Sequence, residues 1–396
     1  MEYVKGKPYF FYTNSKIKNY KYLNNNLCCD ILIVGAGVNG CIANYFLSQK
    51  YNVVLVDKNR IGCSCTSCAT SLLEYQLDNT SDELSKYMSN QEIINCYKLG
   101  LYSINKIENL LEKIGNKCYF YRRPTLIYSN SFFDKNYLLK EFNFRKNNGF
   151  LCDFIKKNNN FFNFDVNYGI FCKNGGAELD PYLFVKQLIE NSKNQKNIFE
   201  NTYIKKIKKV NNLFHCTTNF NKKIICKNVI LSTGFDFDFI PNNLVTRYTS
   251  YSIVTNPLKE LIWKDKTLIQ DCKKPYHYLR ILPDNRLIFG GEDTLLKNNI
   301  DESLAEKKYK KLYNALIKMF PNYRNKINIE YSFCGAFGST KNNLGLIGKD
   351  KNGIINFIST GANGIINAMR GIELIENIIE NKYDYFENLF SPLRKF

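Results

Sequence analysis

A short run of aliphatic residues, Asp30-Ile-Leu-Ile-Val34, meets Gly35-Ala36-Gly37-Val38-Asn39-Gly40 with no spacer. The run reads as a buried parallel strand that turns directly into a GxGxxG loop. The segment 38–50 then reads as a helix, and NVVLVD, residues 52–57, as a second buried strand ending in an acid. Together they form a βαβ unit of about 30 residues, the context a dinucleotide fingerprint requires. Gly35 permits the tight turn, Gly37 lets the backbone approach a pyrophosphate, and Gly40 lets helix and strand pack closely. The N–H groups and dipole at the helix start, around Val38 and Asn39, favour the anion. Asp57 can accept hydrogen bonds from ribose hydroxyls, which argues against a 2′-phosphate and so against NADP.

The roughly 340 residues that follow exceed what one such unit needs, and 396 residues suggest about two domains at roughly 150 each. Gly62-Cys-Ser-Cys-Thr-Ser-Cys-Ala-Thr-Ser-Leu-Leu73 is small and hydroxyl-rich and reads as a loop opening a second helix. Apolar spacing predicts an amphipathic helix over 91–114, ended by Gly115. Asp180 and Pro181 start a helix running to about 192. Between 122 and 171 the pattern is mixed, with short strands and Asn-rich loops. Strands are expected near 203–210, 213–218, 222–226 and 228–231, then alternation over 245–295. A helix over 304–320, a strand over 354–359 and a closing helix to about 381 complete the chain. Residues 1–27 show no period and read as an extended arm packed on the surface.

The formal charge is +19, from 55 Lys and Arg against 36 Asp and Glu. Only 10 of the 55 are Arg, the usual residue for bidentate phosphate recognition, and the Lys residues are dispersed among Asn. This argues against a nucleic-acid partner. The densest cluster, Lys205, Lys206, Lys208 and Lys209, reads as the outer face of a strand pair. No apolar run approaches the roughly 20 residues of a membrane span. Nothing near the start resembles a secretory signal, so a cytoplasmic location and reduced cysteines are expected. Cys63, Cys65 and Cys68 invite a metal reading, but neither His215 nor His277 lies near in sequence. Small buried side chains are the default, and no metal is assigned.

In order and spacing these pieces resemble the FAD-dependent D-amino-acid oxidase and glycine oxidase superfamily. The matching segments are DILIVGAGVNG, the acid of VVLVDK, GCSCTSCATSLL, GGAELDPYLF, VILSTG, RLIFGGED, GSTKNNLGLIG and STGANGIINA, spanning about residues 28–385. The resemblance implies an α/β chain: a Rossmann-like FAD-binding domain of discontinuous segments plus an α+β substrate domain with a mixed sheet. The corresponding segments are 28–80, 170–240 and 335–396 for FAD and 81–169 and 241–334 for substrate. It also implies oxidation of a C–N bond, with hydride passing to flavin N5. Carried over by position, Gly35, Gly37, Val38, Asn39 and Gly40 match the pyrophosphate loop. Asp57 matches the ribose acid, and Lys58 its neighbour on the adenine side. Thr66 and Ser67 match hydroxyls at the pyrophosphate or ribityl chain, and Thr70 and Ser71 lie near the ring. Ile204 matches a backbone contact to adenine, and Thr233 and Gly234 the end of the ATG-like strand. Gly361, Asn363, Gly364 and Ile365 match the C-terminal loop at the pyrimidine end. Cys334 is off the spacing of a covalent attachment, so non-covalent FAD is expected.

One departure concerns substrate. In glycine-oxidase-like members an Arg in the segment matching 335–340 grips the substrate carboxylate, whereas here Phe337 stands in that place. Arg280 is a candidate replacement; a structural ion pair with Glu292 or Asp293 is the other reading. Tyr276 and Tyr278 share one strand face as pocket candidates, with His277 on the other. The expected partners are a small amine or amino acid as substrate, and oxygen or an electron-transfer protein as acceptor. A flavoprotein of RNA modification, or a flavin-binding protein without turnover, are the competing readings.

Overall fold

Leu27–Val34 and Val53–Val56 form the expected strands and pair in parallel, Ile31 against Val53 and Val34 against Val56. Residues 31–34 and 53–56 are all buried, as a sheet covered on both faces requires. This computed structural model describes residues 3–14, 16–157, 162–235, 244–261, 263–361 and 363–395. Lys223–Leu231 pairs in parallel with Leu27–Val34, and Ile198–Phe199 with Val53–Val56. Ile355–Ile358 continues the parallel set, and Leu346–Lys349 closes that edge antiparallel. The strands expected at 222–226 and 228–231 are one strand. Ile204–Val210 and Leu213–Thr218 stack antiparallel onto it, with Lys205, Lys206, Lys208 and Lys209 exposed.

The second sheet is larger. Among the described residues it has ten strands, in the order Val4–Gly6, Ile329–Ser339, Thr246–Thr255, Leu287–Leu295, His277–Ile281, Leu268–Asp271, Tyr121–Ser129, Tyr168–Glu178, Leu72–Glu74. Asp153–Lys156 also pairs with Tyr168–Glu178. Its ladders are antiparallel except Leu268–Asp271 on Tyr121–Ser129, so the sheet is mixed. The chain is thus α/β, a sheet with a parallel centre and antiparallel additions beside a larger mixed one.

The sheets do not follow the expected segment boundaries everywhere. Leu72–Glu74, Tyr168–Glu178 and the end of Ile329–Ser339 fall in segments assigned to the FAD part, yet pair in the larger sheet. Their ladder hydrogen bonds fix membership, and local composition does not reveal partners. The boundary expected at 240 lies outside the described residues. The N-terminal segment is more than a surface arm. Val4–Gly6 adds an edge strand, Tyr9–Thr13 is a helical turn, and Phe10, Ile17 and Leu23 are buried.

Helix boundaries follow local chemistry. Asn90–Ile114 starts at a capping box in which Ser89 and Glu92 exchange hydrogen bonds. Pro181–Glu190 starts where the Asp180 carboxylate accepts from the Tyr182 and Leu183 N–H groups, both at 2.9 Å. Glu302–Met319 precedes Pro321, and Gly364–Ile379 closes the fold. Lys135–Asn147 is a helix where strands and loops were expected. Its buried side chains are Leu138, Glu141 and Arg145, an ion pair in place of an apolar stripe. Hydrophobic periodicity could not reveal it.

Candidate active site

The parallel strands deliver their carboxyl ends to one side. Val34 passes into the glycine loop, Leu231 into Ser232-Thr-Gly234, and Ile358 into the loop before the closing helix. Open α/β sheets bind ligands at such ends. A cavity of about 580 Å³ lies there, lined by residues of both sheets.

The glycine loop is held from two directions. The Asp57 carboxylate accepts from Ala36 N–H at 2.6 Å and from Asn59 N–H at 2.7 Å. Thr66 Oγ1 accepts from Val38 N–H at 3.0 Å. Gly35 has φ of +102°, the left-handed region that favours glycine. A Cβ on Gly40 would sit 1.8 Å from the Gly35 carbonyl oxygen, so Gly40 sets the distance between helix and loop. Gly40 serves that packing and does not line the cavity, whereas Gly35, Gly37, Val38, Asn39, Asp57 and Lys58 do. So do Thr66, Ser67, Thr70, Ser71, Ile204, Thr233, Gly234, Gly361, Asn363, Gly364 and Ile365. The helix expected after Gly62 is instead a 3₁₀ turn, Cys65–Cys68, followed by the strand Leu72–Glu74. Ser71 between them takes φ of +54°, which breaks helical geometry.

Several buried polar atoms along this wall lack a protein partner: Ser71 Oγ, Ser232 Oγ and Thr233 Oγ1. Unpaired buried hydroxyls are rare, and all three residues line the cavity. Two helices, Val38–Leu47 and Gly364–Ile379, begin on the cavity without a side-chain cap. Val38 N–H is taken by Thr66, and the other N–H groups at these helix starts, with the dipoles, suit anionic or electron-rich ligand atoms. Burial raises the Asp57 carboxyl above its ordinary value, while the N–H groups of Ala36 and Asn59 hold it down. The donors, the acid and a cavity lined from the glycine loop to the start of the closing helix together fit a flavin dinucleotide.

The family model for FAD-dependent oxidoreductases of the DAO type matches residues 30–376. The chain belongs to the DAO family of FAD-dependent oxidoreductases. FAD is its cofactor. The fold is shared with glycine oxidase from Geobacillus kaustophilus, at TM-score 0.79 and 16% identity over 94% of this chain and 100% of that one. L-proline dehydrogenase from P. horikoshii superposes at 0.71 and 15% identity, covering 93% and 98%. The FAD-bound, dithionite-reduced L-α-glycerophosphate oxidase from Mycoplasma pneumoniae does so at 0.70 and 18%, covering 89% and 95%. No curated protein matches the chain. Among the described residues, no helix is long and apolar enough to cross a membrane.

In this DAO-family site, Tyr276, Tyr278 and Phe337 line the cavity and Arg280 does not. Arg280 is 1% exposed. Its guanidinium donates to Glu178 Oε2 at 3.1 Å and to the Leu179 carbonyl at 3.0 Å, and sits over the Phe10 ring. A buried guanidinium needs such partners, and Glu178 supplies the charge. Arg280 is therefore a structural ion pair, on Glu178 and not on Glu292 or Asp293. His277 is likewise structural, with Nδ1 3.0 Å from Asp271. Replacing Arg280 by Ala should cost about 2 kcal/mol of stability, less than a fully stranded buried carboxylate costs. Arg123 stays 2.7 Å from Glu178 to share the charge. Chemical denaturation of the two proteins checks this, and an unchanged midpoint contradicts it.

Sequence reasoning missed the carboxylates of the substrate end. Glu74, Asp78 and Asp293 line the cavity, with Gln76, Ser250 and Ser252. The Tyr278 hydroxyl lies 3.1 Å from Ser250 Oγ and 3.3 Å from Ser252 Oγ. Burial pushes the Glu74 carboxyl up to about 7, opposed by Arg145. Burial pushes Asp293 up to about 6, with Ser250 opposing. The signal for Asp293 was the pair of glycines before it. A Cβ on Gly290 would strike the Tyr278 ring at 2.4 Å, which marks a strand shaped around that tyrosine. Glu74 had no such signal.

Proposed function

We propose that this protein oxidises a C–N bond of a small amine or amino acid. The observation that carries the reading is that Tyr276, Tyr278, Asp293 and Glu74 line the same cavity as the glycine loop and the start of the closing helix. Bound FAD supplies the hydride acceptor at N5, the hydride leaving carbon as the nitrogen lone pair forms the C=N bond. The chain's own work is positioning and electrostatics. Thr66 and the start of the helix Val38–Leu47 would hold the pyrophosphate. The start of Gly364–Ile379 would hold the pyrimidine end of the flavin, where a helix dipole favours the negative charge of the reduced ring. Asn363 fixes this loop, accepting from Glu74 N–H at 3.4 Å and donating to the Glu74 carbonyl. Burial raises Tyr278 to about 12, so its hydroxyl stays protonated. Either oxygen or an electron-transfer protein serves as final acceptor.

Cys334 is buried and does not line the cavity, which argues against attachment of FAD through that residue. The test is anaerobic titration of the holoenzyme with amines and amino acids. At least one is expected to bleach the oxidised-flavin band. A flavin that no amine or amino acid reduces supports a flavin-binding protein without turnover instead.

A further inference from the structure

The substrate end of the cavity is acidic. Glu74, Asp78 and Asp293 line it, while Lys58, at the adenine end beside Asp57, is the one basic side chain among the described lining residues. Phe337 stands in the lining and stacks on Tyr248 at 5.5 Å between ring centroids. All three carboxylates share the cavity lining with Tyr276 and act on it electrostatically.

Acids alone do not make a site, but further atoms here await a partner. Glu74 Oε1 and Asp293 Oδ1 are buried without one. Gln76 is 3% exposed and lines the same wall, and neither atom of its amide is hydrogen-bonded. Its amide is near enough to Glu74 to favour the charged carboxylate, but not aligned to bond it. Buried carboxylate oxygens left this way are costly, and a cationic donor removes the cost. Tyr276 and Tyr278, with centroids 6.1 Å apart and planes tilted by 55°, add ring faces that attract ammonium groups. Positive charge behind the wall does not reverse its sign. Arg145 acts on Glu74 from a buried pair with Glu141, Arg370 offsets Asp78 from behind, and Lys308 and His277 act on Asp293 from outside the lining, which leaves Glu74 and Asp293 as the acids offered to a ligand.

We infer that the substrate is a cationic amine without an α-carboxylate, held by Glu74 and Asp293 against the Tyr276 and Tyr278 rings, and not an α-amino acid. A substrate carboxylate would face three acids and a phenylalanine. The inference rests on the C–N oxidation proposed above and narrows its substrate class. In the balanced step, the ammonium proton passes to a wall carboxylate or to water. The carbon then gives up a hydride with two electrons to FAD, and an iminium leaves for hydrolysis.

Binding is measured on the holoenzyme by anaerobic calorimetry, with benzylamine, 1,4-diaminobutane and N-methylbutylamine against glycine, sarcosine and D-alanine. At least one amine should bind and the three amino acids should not. Glu74→Gln and Asp293→Asn should each weaken amine binding about tenfold or more, the loss of one charge-assisted contact. Their FAD content should match the parent's, and this confirms that each variant is folded. Binding of an amino acid with none of the amines, no binding of any of the six, or amine binding unchanged in both variants overturns the inference. Amines that bind as described but leave the flavin oxidised support the cation site and count against the C–N oxidation reading.

Discussion

Asp57→Ala is expected to raise the dissociation constant of FAD by about a hundredfold. The carboxylate would accept from two ribose hydroxyls, and charge-assisted hydrogen bonds contribute roughly 1.5 kcal/mol or more each. Two of them amount to about 3 kcal/mol, or two decades in affinity. The same oxygens already hold Ala36 N–H and Asn59 N–H. Removing the carboxylate therefore also loosens the loop that faces the pyrophosphate. Equilibrium titration of the apoprotein with FAD reads the change. A variant that binds FAD as tightly as the parent removes Asp57 from the ribose.

Gly40→Ala should strike the fold. Its Cβ would sit 1.8 Å from the Gly35 carbonyl oxygen, a backbone atom that cannot swing aside. The helix Val38–Leu47 must then lift off the strand Leu27–Val34, at a cost of about 3 kcal/mol or more. Gly37→Ala is the informative contrast. Its Cβ would meet only Thr66 Oγ1, at 3.3 Å, and Gly37 lines the cavity. It should leave the denaturation midpoint nearly unchanged while weakening FAD. Equal destabilisation by both substitutions contradicts this division between a packing glycine and a ligand-facing one.

The contrast reflects what the sequence could carry. The glycine loop was legible because strand, turn, helix and acid are contiguous in residues 30–57, and each obeys a local rule. The helix start at Asp180 was legible for the same reason, since caps act within four residues. The helix Lys135–Asn147 was not, because its inward face is Glu141 and Arg145. Their partners are Ser81, Tyr97 and each other, and two of those lie about 40 residues or more away. Strand membership of Leu72–Glu74 and Tyr168–Glu178 was hidden too, since ladder partners lie far along the chain.

The candidate site divides along the same line. Residues placed by the resemblance gather around one cavity because the parallel strand ends bring them there. Arg280 has the right chemistry for a carboxylate, but the fold turns it toward Glu178, 102 residues away in sequence. The acids that face the substrate end sit on two separate stretches, 74–78 and Asp293. Glu74 and Asp293 stand on strands that are far apart in the order of the larger sheet, and only the fold as a whole brings these acids to the lining of one cavity with Tyr276.

The most direct measurement is the cofactor content of the protein as purified. Denaturation should release FAD into the supernatant at about one molecule per chain, identified by its mass. A protein that holds no FAD, and takes up none when FAD is supplied, would contradict the account.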